Sequence, residues 1–330
     1  MNIKKTKLFL NKLCSDYSIE SPGISIGIII ENKLLLTQSY GLSDLKNKIK
    51  ITPKTNFRLA SVSKQFTATC VLQLIEKNKL RLEDKIKKYF TEFKNSEITI
   101  NNLLNHTSGL LNYEDIIRKN RKIPISDKEV LKLVSSQKKY KFKPGRSWDY
   151  NNGGYCILKE LIEKISGLSY ANYLRENIFR PLGMKNSILS ERNKTHILNR
   201  AYGYSFKNNK FVKTDNNITS FTMGDGSIYS SVQDLYKWVI NRNKILSKPL
   251  IDLSQSKDVL TDEKDEYYGL GFFIKKLGKN KVVYHGGESI GFRTSIYSVP
   301  NKKLSVIVLS NSDKNYGSDL AENIIKFLLK

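Results

Sequence analysis

The stretch Phe57-Arg58-Leu59-Ala60-Ser61-Val62-Ser63-Lys64-Gln65-Phe66 decides the reading of this chain, because it sets a serine three residues ahead of a lysine where a helix begins. On a helix of 3.6 residues per turn, positions i and i+3 share a face, so the Ser61 hydroxyl and the Lys64 amine come within hydrogen-bonding reach. A serine hydroxyl is a poor nucleophile at neutral pH unless a base takes its proton, and a lysine desolvated among polar groups can serve. Ser-x-x-Lys also recurs by chance in a chain rich in both residues, so the pair needs support from elsewhere.

Two more groups supply it. Trp148-Asp149-Tyr150-Asn151-Asn152-Gly153-Gly154 places a tyrosine, and an amide two residues on, in a Gly-rich turn before an amphipathic helix carrying Ile157, Leu158, Leu161, Ile162 and Ile165. Val282-Val283-Tyr284-His285-Gly286-Gly287-Glu288-Ser289-Ile290-Gly291-Phe292 joins an apolar strand to a histidine and a glycine pair. Taken singly, Tyr150 reads as a core aromatic, Asn152 as a turn residue and His285 as a strand-end histidine.

Together, in this order, the three groups resemble the active-site motifs of the penicillin-recognising serine hydrolases, above all the class C β-lactamase branch with its DD-peptidases, D-aminopeptidases and family VIII esterases. Leu103-Leu104-Asn105-His106-Thr107-Ser108-Gly109-Leu110, Phe179-Arg180-Pro181-Leu182-Gly183-Met184, Gly226-Ser227-Ile228-Tyr229-Ser230-Ser231 and Tyr268-Gly269-Leu270-Gly271-Phe272 also resemble segments of that family. The resemblance covers nearly the whole chain, and it implies a β-lactamase/transpeptidase-like fold. It further implies that Ser61 attacks a carbonyl while Lys64 and Tyr150 share its proton. A tyrosine accepts a proton only as phenolate, which a neighbouring ammonium favours. By the same resemblance Asn152 orients the substrate amide or Lys64, and the backbone N–H groups of Ser61 and Glu288 form an oxyanion hole; the helix start at Ser61 supports the first donor physically.

The third motif departs from the β-lactamases, which commonly carry Lys-Thr-Gly where this chain has His285-Gly286-Gly287. A lysine there is a permanent cation for a substrate carboxylate, whereas a histidine is largely neutral at pH 7. Arg293, six residues past Gly287, is the alternative anchor, or else a surface charge. The leading expectation is therefore a serine hydrolase acting on an ester, amide or D-amino-acid peptide. A true class C-like β-lactamase and a non-catalytic ligand-binding or scaffold homologue are the alternatives. Exposed loops around residues 111–145 and 205–225 are expected to set specificity.

Composition bounds the rest. The 330 residues carry no internal repeat or low-complexity linker and read as one domain over 1–330. The fold class is α/β of the α+β type: an antiparallel sheet from about residues 20–60 and 265–330, flanked by N- and C-terminal helices, with a mostly helical region at about 61–240. Strands are expected at Ile24–Ile30, Leu34–Leu36, Leu270–Ile274, Val282–Tyr284, Thr294–Val299 and Leu304–Leu309, and a last helix at Leu320–Leu329. The three cysteines, Cys14, Cys70 and Cys156, are odd in number and read as free buried thiols. With only three histidines and no Cys/His spacing of a metal site, no metal and no cofactor are expected.

Fifty-six basic against 31 acidic residues give a net charge of +25. The lysines are scattered, without a basic stripe interleaved with aromatics, so no specific nucleic-acid partner is expected, only weak association with anionic surfaces and a small-molecule or peptide substrate. The basic start Met1-Asn2-Ile3-Lys4-Lys5 is followed by an apolar run that Asn11 and Lys12 interrupt, which reads as an amphipathic first helix rather than a signal peptide. No run has the length of a membrane span. The location expected from these features alone is cytoplasmic, against a family that usually works outside the cytoplasm. Nothing in the sequence sets the oligomeric state.

Overall fold

The computed structural model describes residues 2–118, 120–192, 194–314 and 317–330. Its centre is an eight-stranded antiparallel sheet made of β1 (Ile24–Ile30), β2 (Lys33–Tyr40), β3 (Val259–Leu260), β4 (Tyr267–Tyr268), β5 (Phe273–Leu277), β6 (Asn280–Ser289), β7 (Phe292–Val299) and β8 (Leu304–Ser310). The spatial order is β3-β4-β5-β6-β7-β8-β1-β2, so the two ends of the chain meet where β1 pairs with β8, Ile26 opposite Val308 and Ile28 opposite Val306. β8 reads Leu-Ser-Val-Ile-Val-Leu-Ser with every residue buried, the composition expected of a strand covered on both faces.

Alternation sorts the two faces. Ile24, Ile26, Ile28, Val306 and Val308 pack with Leu10 of α1 (Ile3–Leu13) and with Ala321, Ile324 and Ile325 of a C-terminal helix, Gly317–Leu328. Phe9 and Phe327 stack at 4.0 Å and tie the two terminal helices together. Ile29, Ile296, Ile307 and Leu309 face the opposite way, into the helical body. One register step would exchange these sets, which is what fixes the pairing.

On that second face lies α2 (Lys64–Glu76), buried at every position from Lys64 to Leu74. A helix buried all round belongs inside the molecule, and α2 is wedged there with Phe66 stacked on Trp238 at 4.1 Å. Beside it runs α3 (Asn152–Ser166), the helix expected after the second motif. Asn151 caps its start by accepting from Gly154 N at 2.9 Å, and Gly167, at φ +73°, ends it. Ile157, Leu158, Leu161 and Ile162 are buried and Ile165 half-buried, as their spacing predicts.

The middle of the chain holds more strand than its apolar spacing suggests. Phe57–Arg58, Ile228–Ser230 and Ile188–Leu189 form a small three-stranded sheet, and Tyr204–Lys207 pairs with Lys210–Lys213 across Asn208 and Asn209, both at positive φ. Two asparagines in that conformation are the tight-hairpin signal. The large sheet also begins earlier than expected, at Val259. Cys14, Cys70 and Cys156 are free and buried. Among the described residues no helix is long and apolar enough to cross a membrane.

Candidate active site

The small sheet positions the serine. Phe57–Arg58 pairs with Tyr229–Ser230, and Leu59 N donates to Ile228 O at 2.8 Å, so the chain reaches Ala60 with no slack. Ala60 then sits at φ +48°, a left-handed conformation that costs a residue with a Cβ about 1–3 kcal/mol. Ser61 follows in a single 3-10 turn, Ala60–Ser63, that runs directly into α2. The third motif closes from the other side. A Cβ on Gly287 would lie 2.2 Å from Leu59 O and 2.3 Å from Thr294 Oγ1, while Thr294 Oγ1 itself donates to Leu59 O at 2.7 Å. Strand β6 therefore presses its backbone against the segment that carries the serine, and only glycine permits that approach.

Lys64 is fully buried and satisfied. Its Nζ donates to Ser61 Oγ at 3.0 Å, to Asn152 Oδ1 at 2.7 Å and to Asp225 O at 3.2 Å. Three acceptors around one nitrogen match the three donors of an ammonium. The same nitrogen lies 4.9 Å from the Tyr150 ring centroid and 5.5 Å from that of Tyr155, within cation–π range of both. Tyr150 Oη is buried without a hydrogen-bond partner among the described residues. The Tyr150 ring is held by His106, 4.3 Å away between centroids, and by a parallel Phe273 at 6.2 Å. His106 in turn accepts from Asn151 N through Nδ1 at 3.1 Å, and burial holds its imidazole well below the usual histidine range.

Asn152 is oriented from its far side. Its Nδ2 donates to Glu114 Oε1 at 2.6 Å, which leaves Oδ1 for Lys64. The reversed amide would set its donor Nδ2 against the Lys64 donor and its acceptor Oδ1 against the Glu114 carboxylate, so the two partners select one orientation. Asp225 lies on the same wall. Burial pushes its carboxyl up to about 7, against the opposing pull of the Lys64 ammonium. Neither residue is marked by local sequence: Glu114 sits in a four-residue helix, Tyr113–Ile116, 38 positions from its partner Asn152.

Ser61 opens onto two lobes of a cleft. One, of about 230 Å³, is walled by Arg58, Glu114, Asn152, Asp225, the segment Asn217–Ser227 and Glu288–Ile290. The other, of about 570 Å³, has an aromatic floor of Trp148, Tyr150, Phe273 and Tyr284, with Glu263, Glu266 and Asp319 at its rim. The segments around 113–114 and 217–222 thus fall where the specificity loops were expected.

The two strand residues expected at the substrate, His285 and Arg293, are both held by protein contacts. His285 is 1% exposed, with Nε2 3.0 Å from Tyr268 Oη and Nδ1 2.6 Å from Gly286 O. Burial first, and the Lys64 ammonium second, bring its imidazole down to about 3, so it carries no charge at neutral pH. Arg293 donates through Nη1 to Ser289 O at 3.0 Å and Phe292 O at 2.9 Å, and its Nε lies 3.7 Å from Glu288 Oε2. It lines neither lobe. His285 thus lines the larger lobe as a neutral group, and the Arg293 guanidinium is engaged with the β6–β7 turn.

One group among the described residues has metal-ligand chemistry, the buried Asp127, Cys156 and Asp225, whose ligand atoms lie within 4.8 Å of one another. Asp127 already accepts from Met223 N and Gly224 N at 2.8–3.0 Å, and burial pushes the Cys156 thiol up. These contacts suit a carboxylate holding a turn rather than an ion.

A serine and a lysine on one helical turn, a tyrosine and an amide at the next helix start, and a strand closing on the serine define the serine-based, penicillin-recognising class of fold. The Beta-lactamase family model matches residues 11–329, and the chain belongs to that family. Penicillin-binding protein 4* of Bacillus subtilis (strain 168) is 30% identical over 299 residues, covering 86% of this chain and 66% of its own length. A D-aminopeptidase of Brucella canis is 27% identical over 327 residues, 97% of this chain and 62% of its own. The chain thus spans somewhat less than two thirds of these curated relatives. Among solved structures, an octameric penicillin-binding protein homologue from Pyrococcus abyssi superposes with a TM-score of 0.88 at 27% identity, over all of this chain and 78% of the other. A D-amino acid amidase from Ochrobactrum anthropi superposes at 0.82 over 99% of this chain and 100% of the other, and at 21% identity it speaks to the fold alone.

Proposed function

We propose that this chain is a serine hydrolase that forms an acyl-enzyme on Ser61 and cleaves an amide or peptide bond in a short substrate, with derivatives of D-amino acids the favoured class. The observation that carries the reading is the Lys64 ammonium, 3.0 Å from Ser61 Oγ and beside the Tyr150 ring. Because Ser61 Oγ already accepts from Lys64, its own proton leaves in another direction. In this reading Tyr150 Oη, buried, unpartnered and acting as the phenolate beside the Lys64 ammonium, receives it as the oxygen attacks the substrate carbonyl. The backbone N–H groups of Ser61 and Glu288 hold the oxyanion, and the close approach of Gly287 to Leu59 supports bringing those two segments together. Tyr150 returns the proton to the leaving nitrogen, and water then releases the acyl group from Ser61.

The substrate class rests on the name of one relative, a D-aminopeptidase, and on a third motif without a cation. β-Lactam turnover is placed second, because His285 offers no positive charge to the ring carboxylate. The test is intact-protein mass spectrometry and release assays with p-nitrophenyl butyrate, a fluorescent penicillin and D-amino-acid p-nitroanilides, wild type beside Ser61→Ala. A Ser61-dependent adduct and anilide turnover are expected, with the Ser61→Ala rate lower by about a thousandfold or more. Equal rates in the two proteins would remove Ser61 as nucleophile; no adduct with any reagent would favour the scaffold alternative.

A further inference from the structure

Arg58 is the one arginine that lines the smaller lobe beside Ser61, and it is only 2% exposed. Its contacts are to neutral groups. Nε donates to Tyr229 Oη at 3.2 Å and Nη2 to Asn216 Oδ1 at 2.6 Å, and the guanidinium lies 5.5 Å from the Tyr229 ring centroid and 5.9 Å from that of Phe292. It makes no ion pair among the described residues. Of the carboxylates nearby, Asp225 lines the same lobe with its Oδ1 unpartnered and its carboxyl pushed up by burial to about 7, and the others are engaged. Asp215 pairs with Arg200 and accepts from Gly203 N at 2.8 Å, Glu288 lies against Arg293, and Glu114 holds Asn152. The half-buried Arg200 shares the same Tyr229 hydroxyl, at 3.3 Å, and already takes the Asp215 carboxylate.

A buried cation without a counter-charge is expensive, and the cost is recovered when an anion completes it. The wall around it has a second unfinished group: Ser289 Oγ is buried without a hydrogen-bond partner and lines the same lobe. Thr219 and Ser220 add further hydroxyl-bearing residues. We propose that Arg58, with Ser289 on the same lobe, is the carboxylate-recognising subsite of this enzyme, and that the part of the substrate seated in the smaller lobe ends in a carboxylate. A planar guanidinium is suited to that group because it can offer two parallel N–H donors to its two oxygens. The lobe then has two ends, a reacting end at Ser61 and Asn152 and an anchoring end at Arg58. The anchor stands where His285 and Arg293 do not. The proposal depends on the acyl-serine reading only for turnover.

The experiment compares p-nitrophenyl glutarate, whose acyl group ends in a free carboxylate, with p-nitrophenyl pentanoate, at high salt to screen long-range attraction to the basic surface. In the wild type kcat/KM should favour the glutaryl ester at least tenfold, about 1.4 kcal/mol. In Arg58→Gln that ratio should fall toward one, whatever the absolute rate, with Arg58→Lys in between. Independently of turnover, calorimetry on Ser61→Ala should show glutarate binding and glutaramide failing to bind. A wild-type ratio near one, or a ratio that Arg58→Gln preserves, overturns the proposal. If Arg58→Gln does not fold, the wild-type ratio and the calorimetry decide. If neither ester is turned over, the acyl-serine reading fails, and glutarate binding to Ser61→Ala alone upholds or overturns the subsite.

Discussion

The two walls that flank Ser61 come from motifs of equal prominence in the sequence, yet they are used in opposite ways. On the helical wall the side chains act: Lys64, Tyr150 and Asn152 converge within bonding or ring-contact distance of the serine or of one another. On the strand wall the backbone acts. Gly287 contributes the absence of a side chain, His285 is packed beneath Tyr268, and Arg293 binds its own turn. A motif on a helix start fixes side-chain geometry within a few residues, through the 3.6-residue repeat and the cap. A motif on a strand fixes only which face each residue takes, and the partner strands decide the rest.

The contrast sets the scale of the expected effects. Tyr150→Phe keeps the ring that His106 and Phe273 hold and removes only an oxygen with no structural partner. Activity against a chromogenic amide should fall by about a hundredfold to ten-thousandfold, with an unchanged melting temperature. An unchanged rate would reduce Tyr150 to a core aromatic, and the helical wall would lose its distinction. Gly287→Ala attacks the strand wall where it is tightest. A methyl 2.2 Å from a backbone carbonyl cannot be absorbed by a rotamer change, so β6 must move away from Leu59. The expected loss is about 1–3 kcal/mol of stability in urea titration, with activity falling as well.

Glu114→Gln tests the support behind Asn152. Exchanging a charged acceptor for a neutral one should lower kcat about tenfold and leave the fold intact, since charged hydrogen bonds exceed neutral ones by roughly this much. A normal rate would mean that Asn152 keeps its orientation through Lys64 alone. Glu114 also marks how far the sequence could be read. The Ser61–Lys64 pair was legible because three positions on a helix are always neighbours, and the terminal strands because alternation and turn residues bound them. Glu114, Asp225 and Arg58 were not, because their partners lie 38, 161 and 158–171 positions away and no periodicity links them. The small sheet at Phe57–Arg58 escaped for a related reason, since strands of two or three residues are too short to show alternation. His285 was legible in place but not in use, because its burial is set by Tyr268 and Phe273 across the sheet.

The smallest effect bears most directly on that last residue. The His285 imidazole stands at about 3 in the fold against 6.5 ordinarily, so between these values the unfolded chain holds a proton that the folded chain lacks. Stability from this group is complete above about pH 6.5 and is lost as pH falls below it, with a slope approaching about 1.4 kcal/mol per pH unit. His106 acts in the same sense, whereas Asp225, raised to about 7, acts in the opposite sense between 3.8 and 7, so the wild-type profile alone is ambiguous. The difference between wild type and His285→Gln isolates the one group, and glutamine retains a polar atom for Tyr268. Urea midpoints from pH 7.5 to 4.5 should show the variant gaining on the wild type as pH falls. A flat difference would mean that His285 titrates as an exposed histidine does, restoring it as a charge available to substrate and erasing the distinction between the two walls.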